Sequence, residues 1–277
     1  MRSVQYTGVP PRVVEHDEHE FRCYNWALAL LHLCSLVGMV VSSESKWPVY
    51  ITRSDIAWVN NSTLSCSTAP CRIEVRQVTV ATWHVETLVV LFHAPAVVGH
   101  VYAAMSRAYM HRLSDGRVPH RWIEYSVSAS IMMVAILLLT GVTDIWTLLL
   151  AFTLCAVTQA MGYAGEAYPG NWFFFLIGSC LMVPPWVVVY YTFYKSLSNG
   201  TSTPPLFVYY IVWSLFVLFM SFAVVNALQR LHLWITTPYI AERWYMFLSL
   251  FAKSALAWQI YFGALSRDRN AVLAYHP

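Results

Sequence analysis

Residues 245–263 read Tyr-Met-Phe-Leu-Ser-Leu-Phe-Ala-Lys-Ser-Ala-Leu-Ala-Trp-Gln-Ile-Tyr-Phe-Gly, an apolar run with Lys253 near its centre. In a helix this lysine lies on the order of 13–15 Å from either end of the run. A lysine side chain reaches only about 6 Å towards water, and an unpaired ammonium at membrane depth costs at least ~3 kcal/mol. Lys253 must therefore be paired, hydrated, deprotonated or chemically modified. A salt bridge that serves only packing is the plain alternative.

The composition of the whole chain indicates a membrane protein. Of its 277 residues, 58% are hydrophobic and 11% are charged, whereas a soluble domain carries about 25% charged residues. The first twenty residues lack the apolar core of a secretory signal peptide. No basic and aromatic surface outside the apolar segments suggests binding to nucleic acid. We therefore expect an integral, multi-pass protein whose surroundings are the lipid bilayer.

Hydropathy predicts seven membrane-spanning helices in a single domain, residues 1–277. A span needs about 20 residues, and it must be helical because backbone groups find no water inside the bilayer. The fourth span is the least separate, since only Gly141 to Asp144 divide it from the third. The alternative is one long hairpin in its place, with an even number of crossings. The predicted spans are residues 22–41, 80–105, 121–142, 145–163, 172–194, 206–228 and 244–264.

Loop charges favour a cytoplasmic N-terminus and an extracellular C-terminus. Arginines concentrate in the short second loop, from Arg107 to Arg121, and such clusters prefer the cytoplasmic side. Glycosylation sequons at residues 60–63 and 199–201 then face outward. The first outer loop, residues 42–79, is long and alternates in hydrophobicity, so we expect a short β-hairpin that caps the outer face. Cys66 and Cys71 in this loop form either a disulfide or two free thiols.

A lysine in a dry pocket suits a Schiff base with an aldehyde, and the aromatic content of 16% suits a flat, apolar ligand. The candidate pocket residues lie in the third, fifth, sixth and seventh spans. Each one alone is more often a lipid-facing or core residue. They are Trp122, Tyr125, Trp186, Tyr190, Trp213, Phe216, Phe219 and Trp258.

A protonated Schiff base needs a negative partner, and carboxylates are few in the spans. Glu124 is the best candidate, and Glu86 in the second span is the runner-up. Arg121 lies one turn before Glu124 and so shares its helix face. The alternative for Glu124 is therefore a local ion pair with Arg121 at the membrane boundary.

Three segments together resemble the heliorhodopsins, a family of microbial rhodopsins with inverted topology. They are Arg-Trp-Ile-Glu-Tyr-Ser-Val-Ser at 121–128, Val-Trp-Ser-Leu-Phe-Val-Leu-Phe at 212–219 and Ala-Lys-Ser-Ala-Leu-Ala-Trp-Gln at 252–259. The resemblance implies a seven-helix retinal protein with all-trans retinal on Lys253 and Glu124 as counterion. Ser249 takes the place where ordinary pumps keep a second carboxylate. The expected retinal-binding residues also include Trp122, Tyr125, Ser128, Trp213, Phe216 and Trp258.

The same resemblance implies two histidines in a polar cavity that accept the Schiff-base proton, since imidazole titrates near neutrality. His32 fits the first position, and His100 fits the second, with His93 as the alternative. A lone histidine in a span is more often a hydrogen-bonded core residue. The pair His84 and Glu86 departs from the family pattern and keeps a transport role open, together with Arg121.

We therefore expect a light-sensing photoreceptor, with light-gated proton or cation transport through the same chromophore as the alternative. A retinal-free scaffold or enzyme is a third reading, but no catalytic triad, metal motif or phosphate loop is present in the sequence. The resemblance also implies a homodimer and an unidentified signalling partner. We expect no bound metal and no enzymatic activity.

Overall fold

The computed structural model describes residues 11–42, 48–59, 71–199, 206–235 and 237–265. Seven helices of spanning length and one short helix follow one another, with a β-hairpin between the first two helices. A π-helical turn, Tyr261–Leu265, ends the described chain. The elements are α1 Pro11–Ser42, β1 Pro48–Val59, β2 Arg72–His84, α2 Val85–Met105, α3 Arg107–Ser114, α4 Pro119–Leu139, α5 Ile145–Ala167, α6 Phe173–Asn199, α7 Leu206–Leu231 and α8 Pro238–Ile260.

Six of these helices are both long and apolar enough to cross a membrane. The seventh, α8, has 23 residues, or about 34 Å of helix, but the charged residues Glu242, Arg243 and Lys253 lower its hydropathy. The charges of Glu242 and Lys253 do not argue against a span, because both side chains are buried inside the bundle. The prediction of a seven-helix membrane bundle with a hairpin is confirmed.

The third and fourth predicted spans are separate helices. α4 ends at Leu139, and Gly141 adopts a positive φ of 93°, a conformation that glycine takes at no steric cost. Asp144 then caps α5, because its side chain accepts a hydrogen bond from the Thr147 N–H. The chain therefore reverses within four residues, and the single-hairpin alternative is wrong.

The largest apolar core lies on the side of the bundle that carries the hairpin. It joins α2, α4, α6, α7 and α8 through side chains that are fully buried, among them Phe92, Met133, Ile136, Ile211 and Leu256. Two smaller clusters stabilise the opposite side, which we call the N-terminal side because α1 and α8 begin there. The polar residues of functional interest lie between these apolar layers.

The hairpin pairs β1 with β2 in antiparallel register, with Ile56 opposite Val75. It is attached to the turn between α4 and α5, because the Thr52 N–H donates to the Thr143 carbonyl at 2.8 Å. β2 continues through His84, so α2 starts at Val85 and not at residue 80. Cys71 is disulfide-bonded. Its expected partner Cys66 and the sequon at 60–63 lie outside the described residues, and so does most of the sequon at 199–201.

The arginine-rich second loop folds into α3, which the sequence did not predict as a helix. Ser106 begins it, since its hydroxyl accepts a hydrogen bond from the Tyr109 N–H. One face of α3 buries Tyr109, Met110 and Leu113 against the bundle. The side chains of Arg107 and Arg112 are exposed on the other face.

Candidate functional site

Lys253 lies inside the bundle and is paired. Its Nζ donates a hydrogen bond to the Ser249 Oγ at 2.6 Å and lies 3.3 Å from the Glu124 Oε1. The side chains of Lys253 and Glu124 are 3% and 11% exposed. Ser249 is positioned by helix geometry, because residues four apart share a face. The buried ammonium thus has one carboxylate and one hydroxyl as partners, and it lies 5.1 Å from the Tyr125 ring.

Glu124 reaches this position because α2 comes close to α4 at Gly99. A Cβ at Gly99 would lie only 3.2 Å from the Glu124 Cγ. The glycine therefore leaves the space in which the carboxylate side chain runs between the two helices. Even an alanine there would require the Glu124 side chain to shift by a few tenths of an ångström.

An apolar cavity of about 220 Å³ opens beside the lysine. Its wall includes Lys253 and Ser249 from α8 and three of the predicted residues of α4, namely Trp122, Tyr125 and Ser128. The close approach of α5 shapes it, since a Cβ at Gly162 would overlap the Trp122 ring. The remaining lining residues are mostly apolar or aromatic and come from α4 to α8; they include Met132, Phe174, Phe175, Met182, Phe219 and Phe222.

This cavity fits a long, flat, apolar aldehyde. It is lined largely by carbon, with few polar groups, and it ends at an amine, as a site for such a ligand requires. Two buried polar atoms in its wall, the Trp122 Nε1 and the Ser128 Oγ, have no hydrogen-bond partner within the described part of the chain. The donor set therefore suits retinal linked to Lys253.

Five of the eight aromatic candidates do not line this cavity, namely Trp186, Tyr190, Trp213, Phe216 and Trp258. Trp213 is 51% exposed and packs against Tyr190 on the outer surface. Phe216 packs against Trp186 behind the cavity wall, and Trp258 lies beside a second apolar groove between α7 and the end of α8. Helical geometry explains the error: at 3.6 residues per turn, Trp258 lies about 140° around the helix from Lys253.

Arg121 does not pair with Glu124, as the alternative assignment had it. Its guanidinium forms ion pairs with Glu166 of α5 and Glu242 of α8, and all three side chains are at most 6% exposed. The Cζ atom of the Arg121 guanidinium lies 4.0 Å from the Tyr245 ring centroid. Sequence reasoning missed Glu242. The available signal was a carboxylate directly beside Arg243 at the start of an apolar run.

The three candidate histidines of the spans are brought together. The His32 ring of α1 stacks on His100 of α2 at 5.4 Å and contacts His93 of the same helix at 5.5 Å. The structure thus brings both His93 and His100, proposed as alternatives, to His32. His32 and His93 are fully buried. Gly99, the neighbour of His100 in the chain, lies against the Glu124 side chain, so this histidine cluster lies close to the lysine site.

His84 and Glu86 lie apart from that cluster, at the hairpin end of α2. His84 is the last residue of β2, whereas the sequence had placed it inside the second span. Its Nδ1 is 3.9 Å from the Glu86 Oε1. Within the described ranges, no hydrogen bond joins this pair to the histidine cluster. Glu86 therefore does not contact Lys253, and Glu124 holds the carboxylate position beside it.

Comparisons with known proteins agree with this geometry. A family model described as Heliorhodopsin matches residues 21–265. Among solved structures, the transmembrane domain of the Salpingoeca rosetta rhodopsin phosphodiesterase is similar, with a TM-score of 0.65 at 13% identity over 96% of this chain and 92% of that one. At this identity the likeness shows the fold alone. The word phosphodiesterase belongs to the name of the other protein and implies no such activity for this chain. No curated protein matches the chain.

Proposed function

This chain belongs to the heliorhodopsin family, and from that premise we propose that it is a light-sensing retinal protein. All-trans retinal is bound to Lys253 as a protonated Schiff base, and Glu124 is the counterion. The observation that carries this proposal is the 3.3 Å pair of Lys253 and Glu124 at the wall of the apolar cavity. When bound, retinal supplies light absorption and a light-driven change of shape, while the chain orients it and holds the proton.

The charges around the lysine favour a sensor over an outward pump. A buried cation needs a partner, and Glu124 is the only carboxylate in contact with Lys253 among the described residues. Ser249 stands on the other side of the nitrogen and cannot hold a charge. Two further buried carboxylates, Glu166 and Glu242, are both ion-paired with Arg121 and not with Lys253. Fixed carboxylates for proton donation and release are therefore not aligned with the lysine.

The histidine cluster is the proposed acceptor of the proton that leaves the lysine nitrogen. Both ring nitrogens of His32 and the Nε2 of His93 are buried without a hydrogen-bond partner among the described residues. A neutral imidazole keeps one bare nitrogen that can accept a proton. A slow return of that proton would leave time to signal to a partner. The orientation with a cytoplasmic N-terminus, the homodimer and the signalling partner remain predictions.

The test is a visible spectrum after incubation of the purified protein with all-trans retinal. Wild type should give a band in the visible range that changes on illumination, and Lys253→Ala should give none. Lys195→Ala is the matched control, because this lysine of α6 is exposed and should leave the band unchanged. A folded wild-type protein without any band would contradict the proposal.

One observation favours light-gated transport as a second candidate. Glu86, His93 and His100 follow one another at intervals of seven residues and so share a face of α2. A light-gated current in cells that express the chain would support this alternative, and Glu86→Gln should reduce that current. Absence of current in cells whose protein carries the visible band would exclude it.

A further inference from the structure

Asn25 of α1 fixes the protonation pattern of the histidine cluster. Its Nδ2 donates to the Phe21 carbonyl at 2.8 Å, so its Oδ1 is the atom that faces the His100 Nδ1 at 2.9 Å. An amide oxygen only accepts, and the proton of a neutral His100 must therefore be on Nδ1. His93 is fixed in the same way, since its Nδ1 lies 3.0 Å from the Val89 carbonyl. Both histidines of α2 thus keep Nε2 bare.

Asn25 also connects the cluster to the N-terminal side of the bundle. The Asn25 side chain also acts on Tyr109 of α3, and the Tyr109 hydroxyl donates a hydrogen bond to the Glu242 Oε1 at 3.1 Å. Burial and the nearby Glu242 raise the pKa of Tyr109 well above its usual value, which keeps this hydroxyl protonated. Glu242 lies four residues after the start of α8, or about 6 Å from the helix end. A row of polar side chains therefore runs from His100 through Asn25 and Tyr109 to Glu242, near the start of α8.

The row of side chains consists of His100, Asn25, Tyr109 and Glu242. Every member except Asn25 can give up and take on a proton. Histidine, tyrosine and glutamate titrate, whereas an amide holds its hydrogens and accepts none near neutral pH. Asn25 is 1% exposed, so its side chain is shielded from bulk water. The row of polar side chains is thus interrupted for protons at a single residue.

We propose that Asn25 is a positioning residue that insulates the histidine cluster, so that a proton accepted there cannot leave towards the N-terminal side. This rests on the proposed function. The proton that leaves the lysine nitrogen forms an N–H bond at a bare nitrogen of the cluster. It cannot pass the Asn25 amide, and it returns to the lysine nitrogen when that N–H bond breaks. No proton is gained or lost over the cycle.

His120 is the nearest titratable side chain that could bypass Asn25. Its ring packs edge-on against Tyr109, with 4.6 Å between centroids. In the part of the chain that the structure describes, however, no hydrogen bond joins His120 to His100. Among the described residues, His120 therefore gives the cluster no hydrogen-bonded route around Asn25.

The first test needs no retinal. In ¹⁵N-histidine spectra of the retinal-free protein, His100, assigned by its loss in His100→Gln, should show one protonated Nδ1 and one bare Nε2. In Asn25→Leu, which keeps the shape but removes the hydrogen bond, this single tautomer should become a mixture. A wild-type His100 that is protonated at Nε2, or already mixed, would overturn the proposal.

The second test measures protons released to the medium after a flash, with a pH-indicating dye and the retinal-bound protein. Wild type and Asn25→Leu should release none. Asn25→Asp places an ionisable group in the same position, and its illumination should give a transient acidification of the medium that wild type lacks. The double variant Asn25→Asp with Tyr109→Phe should return to the wild-type level. Tyr109→Phe removes the hydroxyl that would pass the proton on to Glu242.

The outcomes separate this inference from the proposed function. A visible band that depends on Lys253, together with equal proton release from wild type and Asn25→Asp, would refute insulation by Asn25 and leave the photoreceptor proposal intact. Proton release from Asn25→Asp that persists when Tyr109→Phe is added would refute a proton route through Tyr109. If Asn25→Asp does not fold, the proposal is tested by the tautomer of His100 in wild type and by its change in Asn25→Leu.

Discussion

At the scale of single residues, the pairing of Lys253 and Glu124 explains how the chain keeps a charge at membrane depth. The ammonium has a carboxylate at 3.3 Å and a hydroxyl at 2.6 Å, which offset part of the cost of leaving water. The sequence predicted this pair, because Lys253 is the single lysine of its span and Glu124 is the single carboxylate of α4.

Replacing Glu124 by Gln should move the visible band to longer wavelength. The carboxylate holds positive charge at the nitrogen, and without it the charge spreads into the polyene and lowers the excitation energy. Absorption spectra of wild type and variant measure this shift. Glu74→Gln on the hairpin removes the same charge far from the site and should not move the band. An unchanged maximum in Glu124→Gln would assign the counterion to another residue.

The partners of Arg121 could not be predicted from the sequence. Spacing along α4 put Arg121 on the face of Glu124, but both of its partners come from other helices, 45 and 121 residues away. Periodicity defines which face a side chain lies on, but it does not define which neighbouring helix that face meets. Trp258 is a different case, because its position about 140° around α8 from Lys253 could have been read from the helical period.

At the scale of elements, the ion pairs of Arg121 join α4, α5 and α8. They lie one turn from Glu124 on α4, and the Tyr125 hydroxyl adds a second link by donating to the Tyr245 carbonyl of α8 at 2.9 Å. Helix bounds were predicted to within a few residues for most spans, because twenty apolar residues are a strong signal. α3 escaped prediction because it is short and polar on one face.

Arg121→Gln should destabilise the bundle by about 3–5 kcal/mol, since it leaves two buried carboxylates without their cation. The measurement is the free energy of unfolding in mixed detergent. Arg53→Gln, which removes an exposed ion pair with Asp55 on the hairpin, should leave that free energy unchanged. Equal stability of Arg121→Gln and wild type would mean that Glu166 and Glu242 do not depend on this arginine.

At the scale of the whole molecule, the polar groups divide the bundle into two unequal halves. The hairpin side is closed by the large apolar core. The N-terminal side carries the hydrogen-bonded groups from His100 to Glu242 and the exposed arginines of α3. Communication with a partner on the cytoplasmic face would therefore use the N-terminal side, if the predicted orientation is right.

That orientation predicts which surface of an intact cell is accessible. A cysteine introduced at Gln77 on the hairpin should react with a membrane-impermeant thiol reagent, and one introduced at Arg112 on α3 should not. Both positions are exposed, so accessibility to the reagent is the only difference. The unchanged chain gives the background from its own cysteines. The reverse pattern would place the N-terminus outside.

The most direct measurement of the central claim is the chemical identity of residue 253 after retinal binding. The protein is incubated with all-trans retinal, reduced so that an imine becomes a stable amine, and digested for mass spectrometry. We predict a retinyl group on the peptide that contains Lys253 and on neither Lys46 nor Lys195. A retinyl group on those lysines instead, or on none, would contradict the assignment of Lys253 as the retinal-binding residue.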